Sequence, residues 1–571
     1  MQRSQEKHKS WASVDSVLDY EHGGMSYTAR RTTKNSSKLK FVVILLVCYS
    51  FFISFINYGR VSRDTESPVD SDALTSGKKN IIMMVTDGTG PASINMARYF
   101  RQYRDKLDID DVLTLDKYFI GSSRTRSLSS LITDSAAGAT AFSCSLKSYN
   151  GAIGVDGNKK PCGTILEALK LQGYKTGLVV TTGITDATPA SFNAHADYRY
   201  MQSLIANHQL GYDTSLGLVT DLMIGGGQCF YLPGSHPQGC RDDEVDLLEK
   251  ARNSNFTVAT NKQEFDQLQL GANASLPLLA LVAYYNIPYD IDRQENEYPS
   301  LDEEVRTALT LLTEATKDSD QGFFLLIEGS RIDHAGHSND PAAQVREVLA
   351  YDKAFKTVID YIDSAETETF MVSTSDHETG GLAVGLQIGS NYPEYRWKPD
   401  ALLNATKSGE YLAKKFSAFQ QQTSDKSELE EFIKTEIFET DLGILDYTEH
   451  EVSHIINHPE SAHDHFVEMV SVRAEVGWST HGHTAVDVNI YAHCNTDRGK
   501  AALHHYLGGN VENTDIGKFW EQITNSDLQH VTGLLDGTKH VPTPAEVEDE
   551  VHMFEQEHGF IDHRAEAPEL P

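Results

Sequence analysis

The chain has 571 residues, 40% of them hydrophobic, with 49 Lys and Arg against 82 Asp and Glu for a formal net charge of −33. That length and apolar content can bury one large core or several, which excludes disorder throughout. So much negative charge repels phosphate backbones and anionic headgroups, so nucleic-acid binding by general electrostatics is excluded and any phosphate-handling site must build its own positive charge.

The charge is unevenly spread. Residues 1–40 hold eight Lys and Arg against four acidic residues, net +4, which leaves −37 on the remainder. Next comes FVVILLVCYSFFISFI, uncharged and apolar on every face. Residues 41–57 therefore read as a transmembrane signal anchor, at the short end of the roughly 17–25 residues that span a bilayer. A cleaved signal peptide would carry a much shorter basic leader. The positive-inside rule predicts a cytoplasmic basic tail at 1–40 and a lumenal or external body, a single-pass type II topology. The glycosylation triplets Asn255-Phe-Thr, Asn273-Ala-Ser and Asn404-Ala-Thr fall on the lumenal side. Of six cysteines, Cys48 lies in the anchor. The other five occupy a compartment that permits disulfides, where Cys144 with Cys162 and Cys229 with Cys240 are the first short-loop pairings to consider. Spacing leaves the connectivity open and one thiol over.

Residues 58–79 are polar and read as a stalk, with a folded body over 80–500 and an acidic C-terminal extension over 501–571. Within the body, IIMMV (81–85) predicts a strand, TILEALKLQG a helix ending at Gly173, and TGLVV (176–180) a second strand. LMIG and FFLLI (323–327) follow as strands, then the amphipathic helix VREVLAYDKAFKTVIDYI (345–362) and the strand TFMVST (369–374). Continuous apolar strands separated by helices predict an α/β fold, a mostly parallel central sheet sandwiched by helices, with ligands beyond the carboxyl ends of the strands. The more polar stretches 241–320 and 391–470 read as insertions.

Several candidate site segments lie at such strand ends. IIMMVTDGTG places Asp87 beside glycines, LIEGSRIDHAGH carries Glu328, Asp333, His334 and His337, MVSTSDHETGG carries Asp376 and His377, and WSTHGHTAVDV carries His481 and His483. Asp333 and His337 are four apart, so a helical turn would aim both at one metal ion. Mixed carboxylate and imidazole ligands without thiolate suit zinc, and there are enough for two sites. In LITDSAAGATAF, Ser135 reads as a strand end leading into a helix start, where backbone N–H groups favour an anion. No Ser-His-Asp base accompanies it, and a serine lying on a metal ion needs none. His450, His454, His458, His463 and His465 lie in or beside a polar insertion and are assigned no ligand role.

In order, VTDGTG, TDSAAGATAF, ATPASFNAHADYR, FLLIEGSRIDHAGH, TSDHETGG and THGHTAVDV resemble the motifs of alkaline phosphatases, from about Asn80 to His493. The anchored layout with a basic leader is similar to the repressible vacuolar members of that family in fungi. The resemblance implies an alkaline-phosphatase-like catalytic domain, two zinc ions, one magnesium ion, a homodimer, and hydrolysis of a broad range of small phosphomonoesters in the vacuole lumen. It implies that Ser135 is the nucleophile and becomes phosphorylated, while Arg199 clamps two phosphate oxygens. Asp333, His337 and His483 would hold the first zinc, Asp87, Asp376 and His377 the second, and Glu328, Thr188 and Asp87 the magnesium, with Asp186 and His334 close by. A phosphodiesterase or sulfatase of the same superfamily and a catalytically inactive zinc-binding ectodomain are the alternatives. The C/S-x-P-x-R context of sulfatases is absent around Ser135.

Overall fold

In the computed structural model, which describes residues 74–541, the apolar runs become the central strands of one ten-stranded sheet. The chain enters through β1 (Lys79–Val85), buried along its whole length, and α1 (Pro91–Asp105), which has Pro91 in its first turn and ends where Lys106 turns left-handed. β2 (Phe119–Arg124), α2 (Ser135–Cys144) and α3 (Ile165–Leu171) follow, the last started by a capping box between Thr164 and Glu167. Then come β3 (Lys175–Gly183), α4 (Ala187–Asn193), β4 (Leu222–Gly226), β5 (Thr257–Ala259) and β6 (Leu278–Leu281). α5 (Leu301–Thr316), β7 (Phe323–Glu328), α6 (Arg331–His337), α7 (Pro341–Ser364), β8 (Glu368–Thr374) and the short β9 (Glu378–Thr379) complete the middle of the chain.

Beyond them the chain folds into a helical region that includes α8 (Gly409–Gln420), α9 (Glu449–Asn457) and α10 (Ala462–Ala474). It returns through β10 (His483–Thr484) and β11 (Val488–Cys494), then α11 (Asp497–Leu507), β12 (Gly509–Glu512) and α12 (Asn513–Thr524).

The strand order is β12-β2-β11-β8-β1-β7-β3-β4-β6-β5. Every neighbouring pair is parallel except the two that involve β11, which runs antiparallel to both β8 and β2. Successive side chains of β1 divide between two cores, Ile81, Met83 and Val85 on one face and Ile82 and Met84 on the other. The first core receives Phe142, Leu166, Phe192, Leu503 and Trp520, the second Ile94, Val305, Leu312, Val348 and Phe355. This is the expected sheet between two helical layers.

Two expectations change. Residues 241–320 are not an insertion throughout, because β5 and β6 extend the central sheet and α5 packs in the second core. The two strands are only three and four residues long, so their apolar signal is lost among polar loops. The acidic C-terminal extension does not begin at 501, since β12 pairs with β2 and α12 buries Ile516, Phe519, Trp520 and Ile523. Nine of the fourteen acidic residues of 501–571 lie beyond Val541, so composition averaged over that segment hides its folded part. The stretch 391–470 builds a third core around Phe416, Phe438 and Phe466, which also takes in Met96, Phe100 and Val345.

Cys144 is bonded to Cys162 and Cys229 to Cys240, and Cys494 is a buried free thiol. No helix among the described residues is long and apolar enough to cross a membrane. The expected anchor at 41–57 lies outside the described residues, as do residues 542–571.

Trp520→Ala removes a fully buried indole from the first core. It should cost about 3–5 kcal/mol, read as a lowered denaturation midpoint, and a change below 1 kcal/mol would show that the C-terminal helix is not part of the cooperative fold.

Candidate metal and phosphate site

Four adjacent strands, β8, β1, β7 and β3, end on one edge of the sheet, and each delivers site residues there. Val85 is level with Glu328 and Thr374, and Val180 with Glu328, so the strand ends are aligned in register. Asp87 follows β1, Glu328 ends β7, Asp376 and His377 follow β8, and Asp186 and Thr188 follow β3. Because β11 runs the other way, with Ile490 level with Thr374, the residues before it arrive at that same edge, and His483 is among them. β2 runs parallel to β8 and ends there too, and the loop 125–134 carries the chain on to Ser135. Ser135 therefore starts a helix as expected, but a loop, not a strand, precedes it.

The backbones approach closely. Gly88 adopts φ +69°, and a Cβ there would lie 2.6 Å from Asp333 Oδ1, so a glycine is required for the first turn to meet α6. A Cβ on Gly138 would lie 2.9 Å from the Cβ of Asp376, which is how α2 brings Ser135 down onto the second cluster.

Ser135 Oγ is 3.0 Å from His377 Nε2 and 3.4 Å from Asp87 Oδ1. His377 Nε2 is in turn 3.5 Å from Asp87 Oδ1 and 3.2 Å from Asp376 Oδ2. His337 Nε2 is 3.3 Å from Asp333 Oδ2 and 3.0 Å from His483 Nε2, and the His483 atom is 3.7 Å from Asp333 Oδ1. Ligand atoms of Asp87, Asp376 and His377 lie within 4.8 Å of one another, as do those of Asp333, His377 and His483. The two expected ligand sets are thus brought together as neighbours, with His377 stacked on His483 at a ring-centroid distance of 3.5 Å where they join.

The far nitrogen of each imidazole is held. Nδ1 of His337 meets the carbonyl of His481 and Nδ1 of His483 the carbonyl of Thr133. A carbonyl only accepts, so both Nδ1 atoms carry hydrogen and each Nε2 points into the cluster. Thr379 does the same for His377: its hydroxyl donates to Asp333 Oδ1 at 2.5 Å and so accepts from His377 Nδ1 at 3.2 Å. This pattern orients metal-binding imidazoles.

Charge makes the same point. Burial, with repulsion from Asp376, Asp333, Glu328 and Asp186, raises the pKa of Asp87 well above the carboxylate range. Burial and Asp333 push Asp376 up to about 7, and burial pushes Glu328 up to about 8 despite hydrogen bonds from Ser330 and Thr188. Asp333 goes the other way, because His337, His483 and His377 outweigh its burial. Burial keeps His377 and His483 below the ordinary histidine value, which favours the neutral imidazoles that ligate metals. Asp376 Oδ2 is buried without a hydrogen-bond partner. Acceptor atoms crowded together in a dry place call for cations, so the donor set fits metal ions.

Arg199 reaches the same mouth. Its Nη1 is 3.4 Å from Asp134 Oδ2 and its Nη2 is 3.2 Å from Asp186 Oδ1. Burial opposes its charge, but these carboxylates outweigh that and raise its pKa well above the ordinary value. Asp134 also accepts from the backbone N–H of Ala137 and Gly151, so one side chain caps α2 at Ser135 and holds the arginine. Sequence reasoning passed over Asp134 and Thr379, although both sit inside the quoted motifs. Asp186 caps α4 through the N–H of Ala187. His334 accepts from Arg331 Nε at 3.2 Å, and Arg331 pairs with Glu410 of α8, which ties His334 to the added helical region.

These features coincide with relatives. A family model described as alkaline phosphatase matches residues 78–526. The chain is 49% identical over 556 residues to the repressible alkaline phosphatase of Saccharomyces cerevisiae, covering 94% of this chain and 96% of that one. It is 31% identical to alkaline phosphatase 3 of Bacillus subtilis, over 77% of this chain and 87% of that one. The crystal structure of a cold-active alkaline phosphatase from Shewanella sp. superposes with a TM-score of 0.64 at 30% identity, covering 78% of this chain and 99% of that one. The chain belongs to the alkaline phosphatase family, a family of metal-dependent hydrolases.

Thr379→Val keeps the shape of the side chain and removes the hydroxyl between His377 and Asp333. Metal affinity, measured by chelator competition, should fall about 10–100-fold, with the melting temperature little changed in the metal-loaded protein. An unaltered affinity would show that Thr379 does not orient the imidazole.

Proposed function

We propose that the chain hydrolyses phosphate monoesters through a phosphoserine intermediate on Ser135. The observation that carries this reading is the position of Ser135 Oγ, at the start of α2, 3.0 Å from His377 Nε2 and facing Asp87. The residues would hold two zinc ions, one on Asp333, His337 and His483 and one on Asp87, Asp376 and His377, with magnesium on Asp87, Thr188 and Glu328. When bound, these ions supply positive charge at the transferring group and lower the pKa of coordinated hydroxyl and water.

The side chains divide the remaining work. Arg199 offers a planar fork to two non-bridging oxygens of the phosphoryl group, pre-set by Asp134 and Asp186, so its alignment costs little on binding. The first N–H groups of α2 add partial positive charge beside Ser135. Ser135 Oγ bonds to phosphorus as the ester oxygen leaves with the alcohol. Water then displaces phosphate from Ser135 and restores its hydroxyl, and two displacements retain configuration at phosphorus. A monoester presents three terminal oxygens, which suits a site with three cation positions and a guanidinium better than a diester does.

The reading places this chemistry in a vacuole lumen, on a body carried by the 41–57 anchor, and in a homodimer. The basic leader supports the topology. Asn255, Asn273 and Asn404 are all exposed, as glycan acceptors must be.

Ser135→Ala should lower kcat/KM on a small aryl phosphate by on the order of 10³-fold or more while the protein still folds, and full activity would refute the assigned nucleophile. Prolonged chelation should abolish turnover, and zinc with magnesium should restore it. A purified protein that prefers a phosphodiester to the matching monoester would overturn the reading. Endoglycosidase treatment should speed the chain's migration on a gel, and unchanged mobility would remove support for the lumenal orientation.

A further inference from the structure

Between Thr188 and Arg199 the chain carries His195, which is buried and belongs to neither ligand set. Its ring is held from both sides. Nδ1 lies 2.7 Å from the carbonyl oxygen of Gly154, and Nε2 lies 2.9 Å from Glu167 Oε1. A carbonyl and a carboxylate only accept, so both ring nitrogens carry hydrogen and the ring is an imidazolium. Burial opposes that charge, but Glu167 and the Gly154 carbonyl outweigh it and raise the pKa of His195. The side chains of His195 and Glu167 are each 1% exposed, so protein encloses the ion pair. Glu167 Oε2 accepts from the N–H of Thr164 in the capping box of α3, and the N–H of His195 donates to Nδ1 of the buried His208.

A buried ion pair adds little net stability, because desolvation offsets its attraction. What this pair does is fix the geometry of the segment that leads to Arg199. The carbonyl of Gly154 also accepts from the N–H of Cys162, which is bonded to Cys144 at the end of α2. Ile153 and Ala196 exchange both backbone hydrogen bonds, at 3.1 and 2.9 Å, and the carbonyl of Asp197 accepts from the Tyr149 hydroxyl at 2.9 Å. Nearer the site, the N–H of Gly151 donates to Asp134 Oδ2, the oxygen that Arg199 Nη1 approaches. The helix that begins at Ser135 and the segment that delivers Arg199 therefore share one strut, residues 149–154, and His195 with Glu167 fastens it to α3.

We propose that the buried His195–Glu167 pair positions Arg199, holding residues 195–199 against residues 149–154 so that the guanidinium stands ready for the phosphoryl group beside Ser135. This rests on the reading of Arg199 as the phosphoryl clamp. Asp134 and Asp186 orient the tip of the arginine, and the pair fixes the backbone from which its side chain starts. A long side chain has many rotamers, so holding the tip without the root leaves the fork free to shift.

The test is a double-mutant cycle on the full-length, metal-loaded enzyme, read as kcat/KM for a small aryl phosphate and as the inhibition constant of inorganic phosphate. His195→Gln should lower kcat/KM about 10- to 100-fold and weaken phosphate inhibition by a similar factor, with the metal content unchanged. Glu167→Gln, which keeps the size of the side chain, should do the same and carries the test if His195→Gln does not fold. Added to Arg199→Ala, either substitution should change activity by less than about threefold further, because its effect runs through the arginine. Equal effects with and without Arg199, unchanged phosphate inhibition in the single variants, or loss of metal in step with activity would each overturn the proposal and leave the clamp reading standing. If Arg199→Ala alone left phosphate inhibition unchanged, the clamp reading itself would fall and the proposal with it.

Discussion

The molecule is organised around an electrostatic problem: Asp87, Asp333, Asp376 and Glu328 are all driven into the same dry edge of the sheet. Burying one unpaired carboxylate is costly, and four together repel each other through a medium that screens poorly. Among the described residues no lysine pairs with these four carboxylates, and Arg199 is committed to Asp134 and Asp186. The protein answers with imidazoles whose inner nitrogens face the carboxylates: burial keeps His377 and His483 below the ordinary histidine value, while the burial of His337 is outweighed by Asp333, which raises it. Such a cluster is at ease only around cations, so the metal requirement is written into the fold's charge distribution before any substrate is considered.

The sheet meets a second constraint, which is precision. Asp87, Glu328, Asp376 and His377 sit at or within three positions of the end of a buried strand, so their placement inherits the rigidity of a ladder hydrogen-bonded on both sides. Parallel strands alone would supply residues from one chain direction only, and the reversed β11 brings His483 in from the other. Around this frame the supporting contacts are economical. Asp134 caps a helix, ties down the loop at Gly151 and aims Arg199, and Thr379 links the tautomer of His377 to the carboxylate of Asp333. Such shared duties couple the two metal clusters through side chains of the protein itself.

Much of this was legible in the sequence because buried parallel strands read as unbroken apolar runs. IIMMV, TGLVV, FFLLI and TFMVST mark the four central strands, and the carboxylates and histidines immediately after them mark the edge where chemistry occurs. The spacing of Asp333 and His337 foretold a shared helical face. Local pattern could not reveal what depends on distant pairing. β5 and β6 are too short to stand out, β12 carries one apolar residue in four, and α12 hides its core face in an acidic segment. The double role of Asp134 was hidden for the same reason, since an aspartate before a helix reads as a cap whether or not an arginine lies across the loop.

The direction of β11 has a consequence for biogenesis. Asp87 emerges early in synthesis and His483 nearly four hundred residues later, and no strand before β11 can stand in for it. A nascent chain that has passed His377 holds the Asp87, Asp376 and His377 set but only Asp333 and His337 of the other. The cluster therefore closes only after the helical region has been made and the chain has turned back against β8. The set of Asp333, His337 and His483 is thus completed later than that of Asp87, Asp376 and His377, and a product terminated before His483 leaves its acidic edge without the last imidazole.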